Sequence, residues 1–132
     1  LTAHNAYILA AAELGIIGFW AWSVVVWTLM KTMVVAYKRY ANVPGGEEIR
    51  AWALALFASF CGLLVGIFFL SWTYHYVTWI YFGVAAGFYS TIRTTDRGFV
   101  VAPKRIELIG LFIFDVGFMI FMKLYMRMKG HV

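Results

Sequence analysis

Charged residues are scarce in this chain. Of its 132 residues, 13% are charged, whereas 64% are hydrophobic and 20% are aromatic. Soluble domains contain roughly 45–50% apolar and about 25% charged residues, so this composition excludes the soluble globular class. With a mean hydropathy of +0.81, the chain is predicted to be an integral membrane protein.

Cysteine is almost absent as well. Cys61 is the single cysteine and lies in an apolar run, which excludes an intrachain disulfide and a thiolate metal cluster. The three histidines, His4, His75 and His131, are widely separated. None of them stands at a familiar ligand spacing from a carboxylate or thiol, so the sequence predicts neither a metal nor a cofactor.

The chain also lacks an initiator methionine, and its first apolar run has no basic flank or cleavage site of a signal peptide. We therefore expect Leu1 to be an arbitrary start. Residues 1–132 are interpreted as a single membrane domain that forms the C-terminal fragment of a larger protein.

Apolar runs dominate what is present, and each is bounded by charge or by turn residues. About 20 apolar residues cross a bilayer as a helix. The predicted helices cover residues 6–37, 49–70, 74–89 and 106–128, and the third run is short unless the aromatic connector before it contributes a turn. Pro44 and Pro103 mark breaks between helices. The predicted fold is an all-α bundle of about four transmembrane helices.

Basic residues predict the orientation of these helices. Three lie in residues 38–50 and four in residues 93–105, while residues 1–8 and 71–76 contain no Lys or Arg. The positive-inside rule places both basic loops in the cytoplasm, at an anionic lipid surface and not on a nucleic acid. His4 and His75 then face the opposite side. If residues 106–128 cross the membrane, Lys123, Arg127 and Lys129 end up outside, against the rule. This segment therefore either crosses regardless or lies along the inner surface.

Two further features concern the helices themselves. Gly62 and Gly66, and likewise Gly83 and Gly87, have the small-x-x-x-small spacing that predicts close helix packing. Asp115 interrupts the last apolar run, and a carboxylate there should face protein, water or a basic partner. A structural pair with an absent helix and a polar pathway both remain open, and Asp115 is not assigned to an active site.

A short pattern occupies the start of the chain. His4-Asn5 is followed, after nine residues, by Gly-x-x-Gly, and the pattern continues into a long apolar helix. This segment resembles the signature of the O-antigen ligase family of bacterial membrane glycosyltransferases. The residues that carry the resemblance are His4, Asn5, Tyr7, Leu9, Glu13, Leu14, Gly15 and Gly18.

The resemblance implies the C-terminal part of a polytopic GT-C-type fold in the bacterial inner membrane. Such enzymes move a glycan from undecaprenyl diphosphate to a hydroxyl of the lipid A core, or of a similar acceptor, on the periplasmic face during lipopolysaccharide biosynthesis. Related members polymerise O-antigen units or glycosylate proteins, and these alternatives stay open. The family's diphosphate-binding arginines precede the motif, so the fragment alone is expected to be inactive.

His4 corresponds to the family histidine, which is thought to activate or position the acceptor hydroxyl. A neutral imidazole can accept the proton of a sugar hydroxyl as the new bond forms, an effect typically worth about 10²- to 10⁴-fold. A diphosphate leaving group needs counter-charge more than protonation, so no metal is demanded. The alternative is that His4 hydrogen-bonds local backbone where the helix begins.

Four neighbours complete the candidate site. Asn5 either positions His4 or substrate, or caps the first helix. Glu13 either stays hydrated or binds an arginine of the preceding part, and Tyr7 lies inside the motif as a further substrate-binding candidate. His75 either contacts sugar or polyprenyl chain or belongs to an interfacial aromatic belt.

A competing hypothesis from another class is a transporter or scaffold fragment, with Asp115 as its polar determinant and His4-Asn5 as a chance cap.

The predicted orientation can be tested by cysteine labelling in intact cells. With Cys61 replaced first, Tyr74→Cys should react with a membrane-impermeant thiol reagent, whereas Thr95→Cys should not, because the basic loops keep the second position in the cytoplasm. The reverse labelling pattern would contradict this topology.

Overall fold

The computed structural model describes the backbone of residues 6–69 and 76–128 and the side chains of residues 15–67, 76–125, 127 and 128. These residues form four helices: α1 (Ala6–Arg39), α2 (Glu47–Phe69), α3 (Tyr76–Thr95) and α4 (Arg105–Met128). The described part of the chain contains no strand. The prediction of an all-helical fold is therefore confirmed.

Three segments are long and apolar enough to cross a membrane: Gly15–Arg39, Glu47–Ile67 and Arg105–Tyr125. Helix α3 is not among them, although about four spans were predicted. Its C-terminal half contains Ser90, Thr91, Arg93, Thr94 and Thr95, which lower its hydropathy. The protein is an all-α bundle of membrane type with three candidate spans within its described residues.

Helix α1 is interrupted at Gly15. The backbone of this residue has φ 65° and ψ −175°, a conformation that is essentially restricted to glycine because a Cβ would clash with the backbone. The interruption divides α1 into a helical stretch before Gly15 and the candidate span after it. Hydropathy predicted one continuous helix from residue 6, since an apolar run carries no sign of such a break.

The turn between α1 and α2 also depends on glycine. Gly45 has φ 75°, and the Gly46 amide donates to the Val43 carbonyl at 2.9 Å. A Cβ on Gly46 would lie 2.6 Å from the carbonyl oxygen of Tyr40. The chain reverses here with no room for a side chain at residue 46.

Helix α3 continues to Thr95, past residue 89, where hydropathy predicted its end. The Thr91 hydroxyl donates to the Gly87 carbonyl at 3.0 Å and the Thr94 hydroxyl to the Thr91 carbonyl at 2.7 Å, so these polar side chains are satisfied within the helix. Ile92 is 3% exposed and packs with Ala36, Ala53 and Phe99. This tertiary packing favours the extra turns.

Helix α1 is the common partner of the other three helices. It contacts α2 most extensively and also contacts α3 and α4, whereas α4 meets neither α2 nor α3 within the described residues. Met33 of α1, Leu56 and Phe60 of α2, and Phe82 and Ala85 of α3 form the central hydrophobic cluster. Most of the remaining surface of α4 is exposed and apolar.

The predicted role of the glycine pairs is wrong within the described chain. A Cβ built on Gly62, Gly66, Gly83 or Gly87 would have no atom within 4 Å, so these glycines face outward. Small residues do lie at helix contacts, but they are alanines such as Ala36, Ala53 and Ala85, all at most 1% exposed. The aromatic residues Phe60 and Phe82, and not the glycines, contribute to the core on α2 and α3.

Both basic loops lie at one end of the bundle. Arg39, at the end of α1, forms an ion pair of 2.8 Å with Asp96, which follows α3. Helix α4 runs antiparallel to α1, because its start contacts Lys31 while Phe118 stacks on Phe19, with ring centroids 6.1 Å apart. Arg127 therefore lies towards the end opposite the basic loops.

The glycine turn generates a stability prediction. Gly46→Ala should lower the melting temperature of the detergent-solubilised protein, because the new Cβ would force apart the turn backbone at a cost of about 1–3 kcal/mol. Gly62→Ala is the matched control. It adds a methyl group to open space within a helix and should leave the melting temperature unchanged or raise it slightly. Equal melting temperatures for both variants would contradict the turn geometry.

Candidate functional site

The residues predicted to form the site fall largely outside the part that the structure describes. His4, Asn5 and His75 lie outside the described residues. Tyr7 and Glu13 belong to α1 by their backbone, but their side chains also lie outside the described residues. The proximity of these five residues therefore stays a prediction.

The second half of the motif is anchored in the bundle. Gly15 interrupts the helix, and the candidate span begins at that residue. Phe19, directly after Gly18, is 3% exposed and forms a buried cluster with Trp22 and Ile67. The motif thus leads from a backbone break into a segment that packs against both α2 and α4.

A buried carboxyl group lies between α1 and α4. Asp115 is completely buried, and its Oδ1 accepts a hydrogen bond of 3.0 Å from the Ser23 hydroxyl. Its Oδ2 has no hydrogen-bond partner among the described residues. The sequence predicted that Asp115 faces protein, water or a basic partner, and the structure shows that it faces α1.

An indole and an aromatic ring extend this interface. The Trp20 Nε1–H donates to the backbone carbonyl of Leu108 at 3.1 Å. The same indole meets the Phe112 ring edge to face, with centroids 6.1 Å apart and planes at 89°, a favourable aromatic geometry. One side chain of α1 therefore contacts two successive turns of α4.

An ion pair fixes the beginning of α4. The Lys31 ammonium donates to both carboxylate oxygens of Glu107, at 2.7 and 2.9 Å, and to the Ala102 carbonyl at 3.0 Å. Glu107 also accepts the Lys104 backbone N–H at 2.7 Å, which is half of a capping box at the start of α4. Glu107 thus joins the start of α4 to the middle of α1.

Asp96 organises the basic end. Its carboxylate accepts hydrogen bonds from Arg39, from the Tyr40 hydroxyl at 3.2 Å and from the Gly98 amide at 3.0 Å. Burial, together with the adjacent Asp96 carboxylate, raises the pKa of the Tyr40 phenol. Phe99 is fully buried, and the Arg39 guanidinium lies 5.9 Å from the centre of its ring. The loop between α3 and α4 is therefore packed onto the ends of the helices.

The described side chains contain no group of three His, Cys, Asp or Glu residues able to hold a metal ion. The three histidines lie outside the described residues, so this finding bears on the carboxylates and Cys61 alone. Three of the described acidic groups make polar contacts to protein. Asp96 and Glu107 bind cations of the chain, and Asp115 binds Ser23.

Comparisons with protein-family models, with curated proteins and with solved structures gave no match to this chain. The resemblance of residues 4–18 to the O-antigen ligase signature therefore stands on the residues themselves. Any assignment of function follows from that pattern and from the arrangement of the bundle.

Sequence reasoning did not predict the polar contacts between α1 and α4. Lys31 is a charged residue inside a long apolar run, and such a residue signals a partner within the protein. That partner could not be chosen from the sequence because Glu107 is 76 positions away. Ser23 gave no signal, since an isolated serine in an apolar helix usually bonds to its own backbone.

The buried Asp115 contact can be tested by a double-variant comparison. Ser23→Ala should destabilise the bundle by about 0.6 kcal/mol, and by at most about 1.7 kcal/mol, because the carboxyl then loses its only described donor. Adding Asp115→Leu should recover most of that loss, since removing both polar partners leaves an apolar contact. Melting temperatures in detergent measure both effects, and additive losses in the double variant would argue against the contact.

Proposed function

We propose that this chain is the C-terminal part of an O-antigen ligase-like glycosyltransferase of the bacterial inner membrane. The enzyme would move a glycan from undecaprenyl diphosphate to a hydroxyl of the lipid A core or of a similar acceptor, at the periplasmic face. The observation that carries the proposal is the motif from His4 to Gly18, which runs directly into a candidate membrane span.

The conformation of Gly15 supports the proposal. A glycine in an apolar helix that arises by chance has no special backbone requirement. Gly15, the first glycine of the motif, adopts a backbone conformation that essentially glycine alone tolerates. The motif therefore contains a glycine where the backbone requires one, between the segment that starts with His4-Asn5 and the membrane span.

The arrangement of charge also supports it. The positive-inside rule puts the end that carries Arg39, Arg50, Arg93 and Arg97 in the cytoplasm. Helix α1 starts at the opposite end, so its motif segment would face the periplasm, where a lipid-linked donor would be met. The basic residues at the end of α4 oppose this orientation but are fewer than those of the two loops.

In the proposed reaction, the oxygen of the acceptor hydroxyl attacks the anomeric carbon of the donor sugar, and His4 accepts the proton of that hydroxyl. The bond between that carbon and the diphosphate breaks, and undecaprenyl diphosphate leaves with the electron pair. Arginines of the part that precedes residue 1 would bind the diphosphate. Asn5, Tyr7, Glu13 and His75 would position His4 or contact the substrates. The fragment without those arginines would be inactive.

Two alternatives remain within the same family: polymerisation of O-antigen units and glycosylation of protein hydroxyl groups.

A candidate from another class is a transporter fragment, which is favoured by one observation. Asp115 is completely buried, with one oxygen unpartnered among the described residues, and ionisable residues inside membrane helices often mark ion or substrate pathways. A transporter would lose transport in Asp115→Asn and retain it in His4→Ala.

Substitution of His4 tests the enzymatic proposal. In the full-length protein, His4→Ala should abolish transfer from a lipid-linked donor, or lower it by about 10²-fold or more, because the general base is lost. Expression and membrane insertion should be unchanged. Full transfer by this variant would remove the basis for the proposal.

Gly15→Ala provides a second variant for the same assay. It should also lower transfer, since alanine cannot adopt the observed backbone conformation without strain. Gly62→Ala, in open space on α2, is the matched control and should transfer normally.

A further inference from the structure

An apolar groove with a cationic end runs along the outer surface of α1 and α4. Its lining consists of Ile17, Trp20, Arg105, Leu108, Ile109 and Phe112. Five of these side chains are apolar or aromatic, and the exception is the first residue of α4. The groove therefore combines a hydrocarbon surface with one fixed positive charge.

Arg105 has no role within the described chain that would explain its position. It is exposed and forms no ion pair or hydrogen bond with the described residues, whereas its neighbours Lys104 and Glu107 take part in the cap of α4. A cation at a helix N-terminus is disfavoured by the helix dipole. Its guanidinium is thus free to bind an external anion, for which its planar set of donors is well suited.

Arg105 stands at the start of a candidate membrane span. It is the first residue of the span Arg105–Tyr125 and follows the segment that Lys31 contacts, about 12 Å before Arg39 at the basic end. From Arg105 to Phe112 the groove follows α4 for about 10 Å at 1.5 Å per residue. That distance covers about two thirds of the roughly 15 Å of hydrocarbon in one leaflet.

We propose that the groove between α1 and α4 is a binding site for an anionic phospholipid of the leaflet at the basic end. The lipid phosphate binds Arg105, and one acyl chain lies along Leu108, Ile109 and Phe112 against Trp20. An apolar helix packed in the same place would leave Arg105 against hydrocarbon without a counter-charge, which is unfavourable. An anionic lipid supplies both the anion and the apolar chain. This proposal does not rest on glycan transfer.

Native mass spectrometry of the full chain in detergent tests whether the positive charge of Arg105 contributes to lipid binding. The protein is titrated with phosphatidylglycerol and, separately, with phosphatidylcholine of the same acyl chains. Arg105→Gln should weaken phosphatidylglycerol binding about fivefold, the effect of one basic residue at an anionic lipid surface. It should weaken phosphatidylcholine binding much less, because the choline ammonium offsets the charge of that lipid's phosphate. Arg97→Gln is the matched control, because Arg97 is exposed at the same end but does not line the groove.

A second pair of variants tests the groove. Ile109→Trp fills it and should weaken the binding of both lipids, while Phe114→Trp, on an exposed face of α4 away from the groove, should weaken neither. Equal effects of Arg105→Gln and Arg97→Gln would overturn the proposal, since they would indicate attraction to general surface charge. It would also be overturned if Ile109→Trp left lipid binding intact, or dissociated a dimer instead of displacing lipid.

Discussion

The packing of three helices against α1 is the constraint on which this structure depends. Helices α2 and α3 share a hydrophobic cluster with α1, and α4 contacts α1 alone among the described helices. The position of α4 is thus decided entirely by one interface. Because little apolar surface is buried there, the polar contacts from Lys31, Trp20 and Ser23 determine where α4 lies.

These polar contacts have a physical reason in an apolar environment. Lipid chains solvate an apolar helix as well as another apolar helix does, so hydrophobicity alone cannot select a register between α1 and α4. A hydrogen bond or ion pair has partners at one register only. Glu107 meets Lys31 and caps α4 with the same carboxylate, which links the start of the helix to its place on α1. Trp20 and Phe112, which meet in this interface, also line the groove that contains Arg105.

Local signals predicted the helices more successfully than their packing. Helix α2 was predicted over residues 49–70 and extends over Glu47–Phe69. Glu47 and Glu48 lie in its first turn, where the helix dipole favours carboxylates. The end of α3 was predicted too early, because hydropathy does not register threonine hydroxyls bonded within a helix or the burial of Ile92 against Phe99. The glycine pairs were assigned to helix contacts on spacing alone, but the aromatic residues of the core decided which faces meet.

Sequence by itself determined that the chain is apolar and helical, where its turns fall, and which residues, above all His4, form the candidate site, because these follow from composition and short-range patterns. Tertiary structure decided the break at Gly15 and the partners of Lys31, Asp96 and Asp115. The side-chain contacts join residues that are distant in the chain. The break needs a positive φ, which glycine permits but which the presence of a glycine does not by itself predict. No local pattern encodes them.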